Sequence, residues 1–113
     1  MQPTPILGKT YDLLKYCIPI INALPKSYKY VIGERIHTLL GELMELMIEA
    51  NYLPPGQKKP ILHRINILLE KLRYYFRLGF DLGLYNSTRY RDLAARIEEI
   101  GRMTGGWLKS LEK

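Results

Sequence analysis

The stretch VIGERIHTLLGELMELMIEANYL, residues 31–53, decides the fold class of this 113-residue chain. Its apolar residues recur at alternating steps of three and four, the spacing that lines one face of an α-helix. They form an unbroken row of Ile32, Ile36, Leu39, Leu43, Leu46, Ala50 and Leu53. The stretch is therefore predicted to be a long amphipathic helix whose apolar face packs against other helices.

Three further segments carry the same helical pattern. The first row is Leu7, Tyr11, Leu14, Ile18 and Ile21. The third row is Leu62, Ile65, Leu69, Leu72, Phe76, Gly79 and Gly83, and the fourth is Leu93, Ile97, Ile100, Thr104, Trp107 and Leu111. The predicted helices span about residues 5–23, 27–53, 60–82 and 87–111. Pro19 should kink the first helix or end it early, and Pro60 is predicted to open the third.

Short connections containing proline or glycine separate these helices. Long helices joined by short loops are typical of antiparallel four-helix bundles. No strand alternation and no internal repeat interrupts the pattern. We therefore predict an all-α, antiparallel up-down-up-down four-helix bundle in which residues 1–113 form a single domain.

The fourth helical row passes through two adjacent glycines, Gly105 and Gly106, directly before Trp107. Two glycines in a helix cost about 2 kcal/mol relative to alanine. One interpretation is that Gly105 is a helix C-cap. The row keeps its phase across both glycines, which favours a continuous helix in which Gly101 and Gly105 allow close approach of another backbone. Gly33 and Gly41 on the second helix are interpreted in the same way.

The second and third helices carry more than one apolar row. The additional residues are Leu40, Met44, Met47 and Ile48 on the second helix, and Ile61, Leu68, Tyr75, Leu78 and Leu82 on the third. A bundle needs one apolar row per helix, so the second row favours self-association. A wide core face is the alternative explanation.

The chain is basic and carries a single cysteine. Lys and Arg total 17 against 11 Asp and Glu, which gives a net charge of +6 and favours an anionic partner such as nucleic acid. Cys17 is surrounded by apolar residues and is predicted to be a buried hydrophobe. The uncharged stretch 16–25 is shorter than the ~20 residues of a membrane span, and residues 1–5 lack the features of a signal peptide. A cytoplasmic location without membrane insertion is expected.

Candidate catalytic groups do not assemble into a recognisable site. Glu34 and His37 form a Glu-x-x-His pair, but a di-metal bundle needs two such pairs, and His63, the other histidine, has Pro60 at the required position. Glu42, Glu45 and Glu49 share one helix face, where ion pairs with Lys71, Arg64 and His63 would explain them. We predict neither a metal nor another cofactor, and no enzymatic activity.

Basic residues gather at one end of the predicted bundle. Up-down-up-down topology brings the first and third connections together at that end, with the last turns of the third helix beside them. The predicted nucleic-acid contacts are Lys26, Lys29, Arg73, Arg77, Arg89 and Arg91. Tyr28, Tyr74 and Tyr90 are interleaved with them, and such cation–aromatic mixtures suit phosphate contacts and base stacking. A solvated face partly neutralised by Asp81 and Asp92 is the alternative.

Five segments resemble the Avd family, the accessory variability determinants of diversity-generating retroelements. They are VIGERI (31–36), LMIEANY (46–52), LRYYFRL (72–78), DLGL (81–84) and IGRMTGGWLK (100–109). The resemblance extends over roughly residues 11–109, and GRMTGGW is its most specific part. Four-helix proteins encoded in ribosomal RNA intervening sequences belong to the same wider superfamily.

This resemblance implies a function that the residue pattern alone does not supply. Avd proteins are non-catalytic four-helix bundles that form basic homopentameric rings. They bind the retroelement's reverse transcriptase and nucleic acid, RNA or DNA, and support mutagenic cDNA synthesis and retrohoming. The alternative is a structural, self-associating bundle of the intervening-sequence type without a reverse-transcriptase partner.

Overall fold

Four long helices make up most of residues 4–112, the part of the chain that the computed structural model describes. They are α1 (Thr4–Asn22), α2 (Glu34–Tyr52), α3 (Pro55–Asp81) and α4 (Ser87–Ser110). A one-turn helix (Lys26–Tyr28) and a π-helix (Lys29–Gly33) lead directly into α2. No residue of this range lies in a β-strand, so the all-α prediction is confirmed.

The four helices pack side by side around one apolar core. α2 contacts α1 and α3, and α4 contacts the same two helices from the other side. The molecule is elongated, 46 × 22 × 19 Å, as expected for aligned helices. Each helix contributes side chains without solvent exposure, among them Leu13, Leu43, Leu72 and Ile97. Burying one such side chain stabilises the fold by about 1.5–3 kcal/mol.

The apolar rows predicted for the second, third and fourth helices lie in this core almost completely. The exceptions are Leu53, Gly83 and Leu111, which are not buried. Gly83 follows the end of α3 with φ +75°, a conformation that glycine adopts without strain. Part of the additional apolar row is also core, since Leu40, Met47 and Leu68 are buried. A wide core face therefore explains those three residues.

The row predicted for α1 is wrong. Tyr11 and Ile18 are 57% and 41% exposed, and up to residue 17 the buried row is shifted by one residue, while Ile21 belongs to both rows. Thr10 lies in the buried row, and its hydroxyl donates to the Ile6 carbonyl at 2.8 Å, so burial leaves no unpaired polar group. Because Thr10 is polar, the spacing of apolar residues in the sequence does not indicate the row that faces the core. That row consists of Ile6, Thr10, Leu13, Cys17 and Ile21.

Pro19 does not end α1 early, and Pro60 does not open α3. α1 continues past Pro19 to Asn22, and α3 begins at Pro55, well before Pro60. The early start has a tertiary cause. The Lys58 ammonium donates to the Ala50 carbonyl at 2.6 Å and to the Asn51 carbonyl at 3.1 Å. These carbonyls lie at the end of α2 and need such partners, so α3 becomes helical where Lys58 reaches them.

A close approach is found at Gly33, the last residue of the π-helix, but side chains rather than another backbone make it. A Cβ there would lie 3.1 Å from Cγ2 of Ile21 and 3.2 Å from Cδ1 of Leu24. A Cβ at Gly41 would meet nothing within 4 Å.

Within residues 4–112, no helix combines the length and apolar character needed to cross a bilayer.

Candidate nucleic-acid interface

The connections α1–α2 and α3–α4 meet at one end of the molecule. Leu24 and Ile32 from the first connection line a small apolar cavity together with Leu84 and Tyr85 from the second. Lys26 and Lys29 belong to the first connection, and Arg89 and Arg91 lie in the first turns of α4. Arg73 and Arg77 lie in the C-terminal half of α3.

Two of the six candidate cations pair with carboxylates of the chain. Arg73 pairs with Glu70, and Arg77 Nε lies 3.7 Å from Asp81 Oδ2. These side chains are exposed, and such surface pairs contribute under about 1 kcal/mol. A phosphate group could therefore replace either carboxylate as the partner.

Three further candidates have no such partner. Lys26, Lys29 and Arg91 form no ion pair with any carboxylate of residues 4–112. Lys26 and Arg91 are exposed, while Lys29 is half-buried. Tyr30, which the sequence analysis did not single out, is 63% exposed beside Lys29. Its position next to a candidate lysine was the signal that could have identified it.

Arg89, the remaining candidate, belongs to a cluster that ties α1 to α4. Its guanidinium lies 5.5 Å from the ring centroid of Tyr16, and that of Arg96 lies 4.0 Å away. Arg96 Nε also pairs with Asp92 Oδ2 at 3.3 Å. Burial and the Asp92 carboxylate raise the pKa of Tyr16, while the Tyr16 hydroxyl and Arg96 hold the pKa of Asp92 below its ordinary value. Part of the positive charge at this end therefore stabilises helix packing.

The three predicted tyrosines differ in their accessibility. Tyr74 is 65% exposed on α3. Tyr28 is half-buried against the core, and the Tyr90 ring stacks on Phe80 with centroids 4.8 Å apart and planes 5° apart. Only Tyr74 presents most of its ring to solvent, so the three rings do not form one continuous stacking surface.

The ion pairs predicted for Glu42, Glu45 and Glu49 are not formed within residues 4–112. Glu42 borders the same groove as Arg64 and Lys71, but no ion pair joins them. The described part of the chain contains no group of three or more side chains placed to hold a metal ion.

The Gly-Gly-Trp segment is helical and faces two environments. α4 continues through Gly105 and Gly106 to Ser110, so the prediction of a continuous helix is confirmed. A Cβ at either glycine would meet nothing within 4 Å, and both glycines are exposed. The prediction that Gly105 allows close approach of another helix is therefore wrong within this bundle. Trp107 points inward and is buried, with the Lys58 ammonium 5.6 Å from its ring centroid.

We expect Gly105→Ala to raise the free energy of unfolding by about 1 kcal/mol, because alanine is the better helix former and its methyl group meets open space. Urea denaturation at fixed protein concentration measures the change. Gly33→Ala is the matched control and should give no gain, since its methyl would press on Ile21 and Leu24. A lower stability of Gly105→Ala would mean that a second molecule needs the bare backbone.

The comparisons with known proteins give one match. A family model described as bAvd-like matches residues 6–111. No curated protein and no solved structure matches the chain.

Proposed function

Because the chain belongs to the bAvd-like family, we propose that it is a non-catalytic accessory protein of a diversity-generating retroelement. In this role it binds the element's reverse transcriptase together with RNA or DNA in the cytoplasm and supports mutagenic cDNA synthesis. The match over residues 6–111 is the observation that carries the proposal. The proposal includes an up-down-up-down chain path and a homopentameric ring.

Contacts between α1 and α4 support the antiparallel path. Lys9 pairs with Glu99 at 3.4 Å, and further along α1 the Tyr16 ring lies against Arg96. Between these two contacts the residue number rises along α1 and falls along α4, as an antiparallel pair requires. Lys59, near the start of α3, pairs with Glu112 beyond the end of α4 at 3.9 Å, which supports the same arrangement for those two helices.

Exposed apolar side chains on α1 support self-association. Tyr11 and Ile18 lie on one face of the helix, with the half-buried Leu7 and Leu14 completing the row. This is the row that the sequence placed in the core. An exposed apolar row of this length is a candidate contact surface for another copy of the chain.

Charge supports the nucleic-acid role. The chain carries a net charge of +6, and Lys26, Lys29 and Arg91 lie at one end without an ion pair to any carboxylate of residues 4–112. Phosphate contacts release counterions, so affinity should fall with salt by about 0.7–0.9 log units per contact and per log unit of salt.

We expect the double variant Lys26→Glu/Lys29→Glu to bind a structured RNA more weakly, with a salt slope smaller by about 1 for each lysine that contacts a phosphate. Affinity is measured across a salt series, and mass by light scattering. Lys59→Glu/Lys109→Glu is the matched control, because it changes net charge equally at the other end of the molecule. Equal losses in both variants would contradict an interface at the predicted end. Absence of RNA binding by the parent protein at low salt would contradict the nucleic-acid role.

The exposed α1 row also fits a second candidate function, a structural self-associating bundle of the intervening-sequence type. This function needs the apolar row but neither nucleic acid nor polymerase. Co-expression of the protein with the reverse transcriptase of its own genomic neighbourhood separates the two candidates. Co-purification supports the accessory role, and a genome without a neighbouring reverse-transcriptase gene and template repeat favours the second.

A further inference from the structure

A surface cleft of about 200 Å³ lies between α3 and α4. Its apolar residues include Phe76 and Ile97, which are buried, and Ala94, which is exposed. Arg73 and Glu98 supply a cation and a carboxylate. The cleft is smaller than the 300–1,000 Å³ of pockets for drug-sized ligands, so it suits a single planar group.

Tyr90 supplies an aromatic side to this cleft and is held in place. Its ring stacks on Phe80 almost in parallel, with centroids 4.8 Å apart. Both side chains are half-buried. A ring supported in this way loses little conformational freedom when another flat group packs beside it.

Arg73 spans the seam between the two helices because Gly101 has no side chain. A Cβ at position 101 would lie 3.0 Å from Nη2 of Arg73, a distance at which the guanidinium would have to move. Nη1 of the same guanidinium pairs with Glu70. The Arg73 guanidinium is therefore held beside the cleft. Gly101, which was predicted to allow close approach of another backbone, instead leaves room for this side chain.

We propose that this cleft takes one unpaired nucleobase of single-stranded RNA or DNA. An apolar cleft with an aromatic side accommodates the flat faces of a base. The base edge carries both hydrogen-bond acceptors and donors, which match the Arg73 guanidinium and the Glu98 carboxylate. Glu98 Oε1 accepts from Arg102 Nη1 at 2.7 Å, but both side chains are exposed, so a base edge can replace this partner. Arg77 on α3 and Arg91 beside Tyr90 place positive charge near the cleft for the adjoining phosphates. Bases in a duplex are paired and stacked, so the cleft would select single strands.

This inference rests on the proposed nucleic-acid role, and one pair of variants tests it separately. Ala94→Leu fills the cleft from an exposed helix position, whereas Ala95→Leu places the same side chain at the next position, which borders the α1–α4 groove instead. The probe is a single-stranded RNA oligonucleotide containing one 2-aminopurine, compared with the same sequence as a duplex. Affinity and 2-aminopurine fluorescence are measured across a salt series.

We expect Ala94→Leu to weaken single-strand binding about 10-fold, within the range of one lost base-stacking contact, and to abolish the 2-aminopurine quenching seen with the parent protein. The salt slope should stay unchanged because the phosphate contacts remain, and duplex affinity should stay unchanged as well. Ala95→Leu should behave like the parent. Arg73→Lys keeps the charge but removes the planar donor, and it should weaken single-strand binding at the same salt slope even if Ala94→Leu does not fold.

Unchanged single-strand affinity and quenching in both folded variants would overturn the inference while leaving the accessory role intact. Equal losses for single strand and duplex would also overturn it, since the base would then make no contribution of its own. A smaller particle mass for Ala94→Leu with normal single-strand binding would assign the cleft to a contact between copies instead. A parent protein that binds neither form at low salt would overturn both the inference and the nucleic-acid role.

Discussion

Replacing Trp107 with alanine is expected to lower the free energy of unfolding by about 3–5 kcal/mol. Trp107 is the largest apolar side chain of α4 and is only 8% exposed. Its ring also lies beneath the Lys58 ammonium, which donates to the carbonyls of Ala50 and Asn51. Truncation therefore leaves a cavity beside Lys58, the residue that joins the start of α3 to the end of α2.

Chemical denaturation followed by circular dichroism, at fixed protein concentration, measures this loss. Tyr52→Ala is the matched control, because Tyr52 lies near the same junction but is 83% exposed, and its truncation should change stability by less than about 0.5 kcal/mol. Lys58→Met shows how much of the loss comes from the ammonium rather than from the Trp107 ring, because methionine keeps most of the apolar stem but removes the donor to the α2 carbonyls. A loss below about 1 kcal/mol for Trp107→Ala would contradict a packing role for the Gly-Gly-Trp segment.

Helix type and the core rows of α2, α3 and α4 were predictable because each row is long, uninterrupted and in phase with the helical repeat. α1 carries two apolar rows one residue apart, and spacing alone does not rank them. The buried row contains Thr10, whose cost of burial is removed by a bond to its own helix at Ile6. The spacing of apolar residues carries no information about that hydrogen bond, so it predicts the wrong row for α1.

The candidate interface was predictable only in its broad location. Net charge and short connections placed cations near one end, but pairing depends on side chains from distant parts of the chain. Tyr16 and Arg96 meet across α1 and α4, and Gly101 on α4 makes room for Arg73 on α3. Neither relation follows from local spacing, because each needs the relative rotation of two packed helices.

Gly79→Ala is the second substitution with a large expected effect, a loss of about 2 kcal/mol. Gly79 is buried in α3, and a Cβ there would lie 2.8 Å from Cζ and 2.9 Å from Cε2 of Tyr85. The Tyr85 hydroxyl donates to the Phe76 carbonyl, and burial raises its pKa, so the donor proton is retained. Displacing the ring loses that bond, about 1 kcal/mol, and packing worth about 1–3 kcal/mol. The better helix propensity of alanine offsets about 1 kcal/mol of this loss in the free energy of unfolding.

A double-mutant cycle shows whether Tyr85 is the cause. In a Tyr85→Ala background the obstructing ring is gone, so Gly79→Ala should raise stability by up to about 1 kcal/mol, reversing its sign. The coupling between positions 79 and 85 is then about 3 kcal/mol, above the usual noise of additivity. A destabilising effect of equal size in both backgrounds would mean that Gly79 serves another contact.

Tyr85 lines the cavity where the two connections meet. Gly79→Ala should therefore also loosen the end that holds Lys29, and hydrogen exchange of its amide, which donates to the Pro25 carbonyl at 2.9 Å, should accelerate.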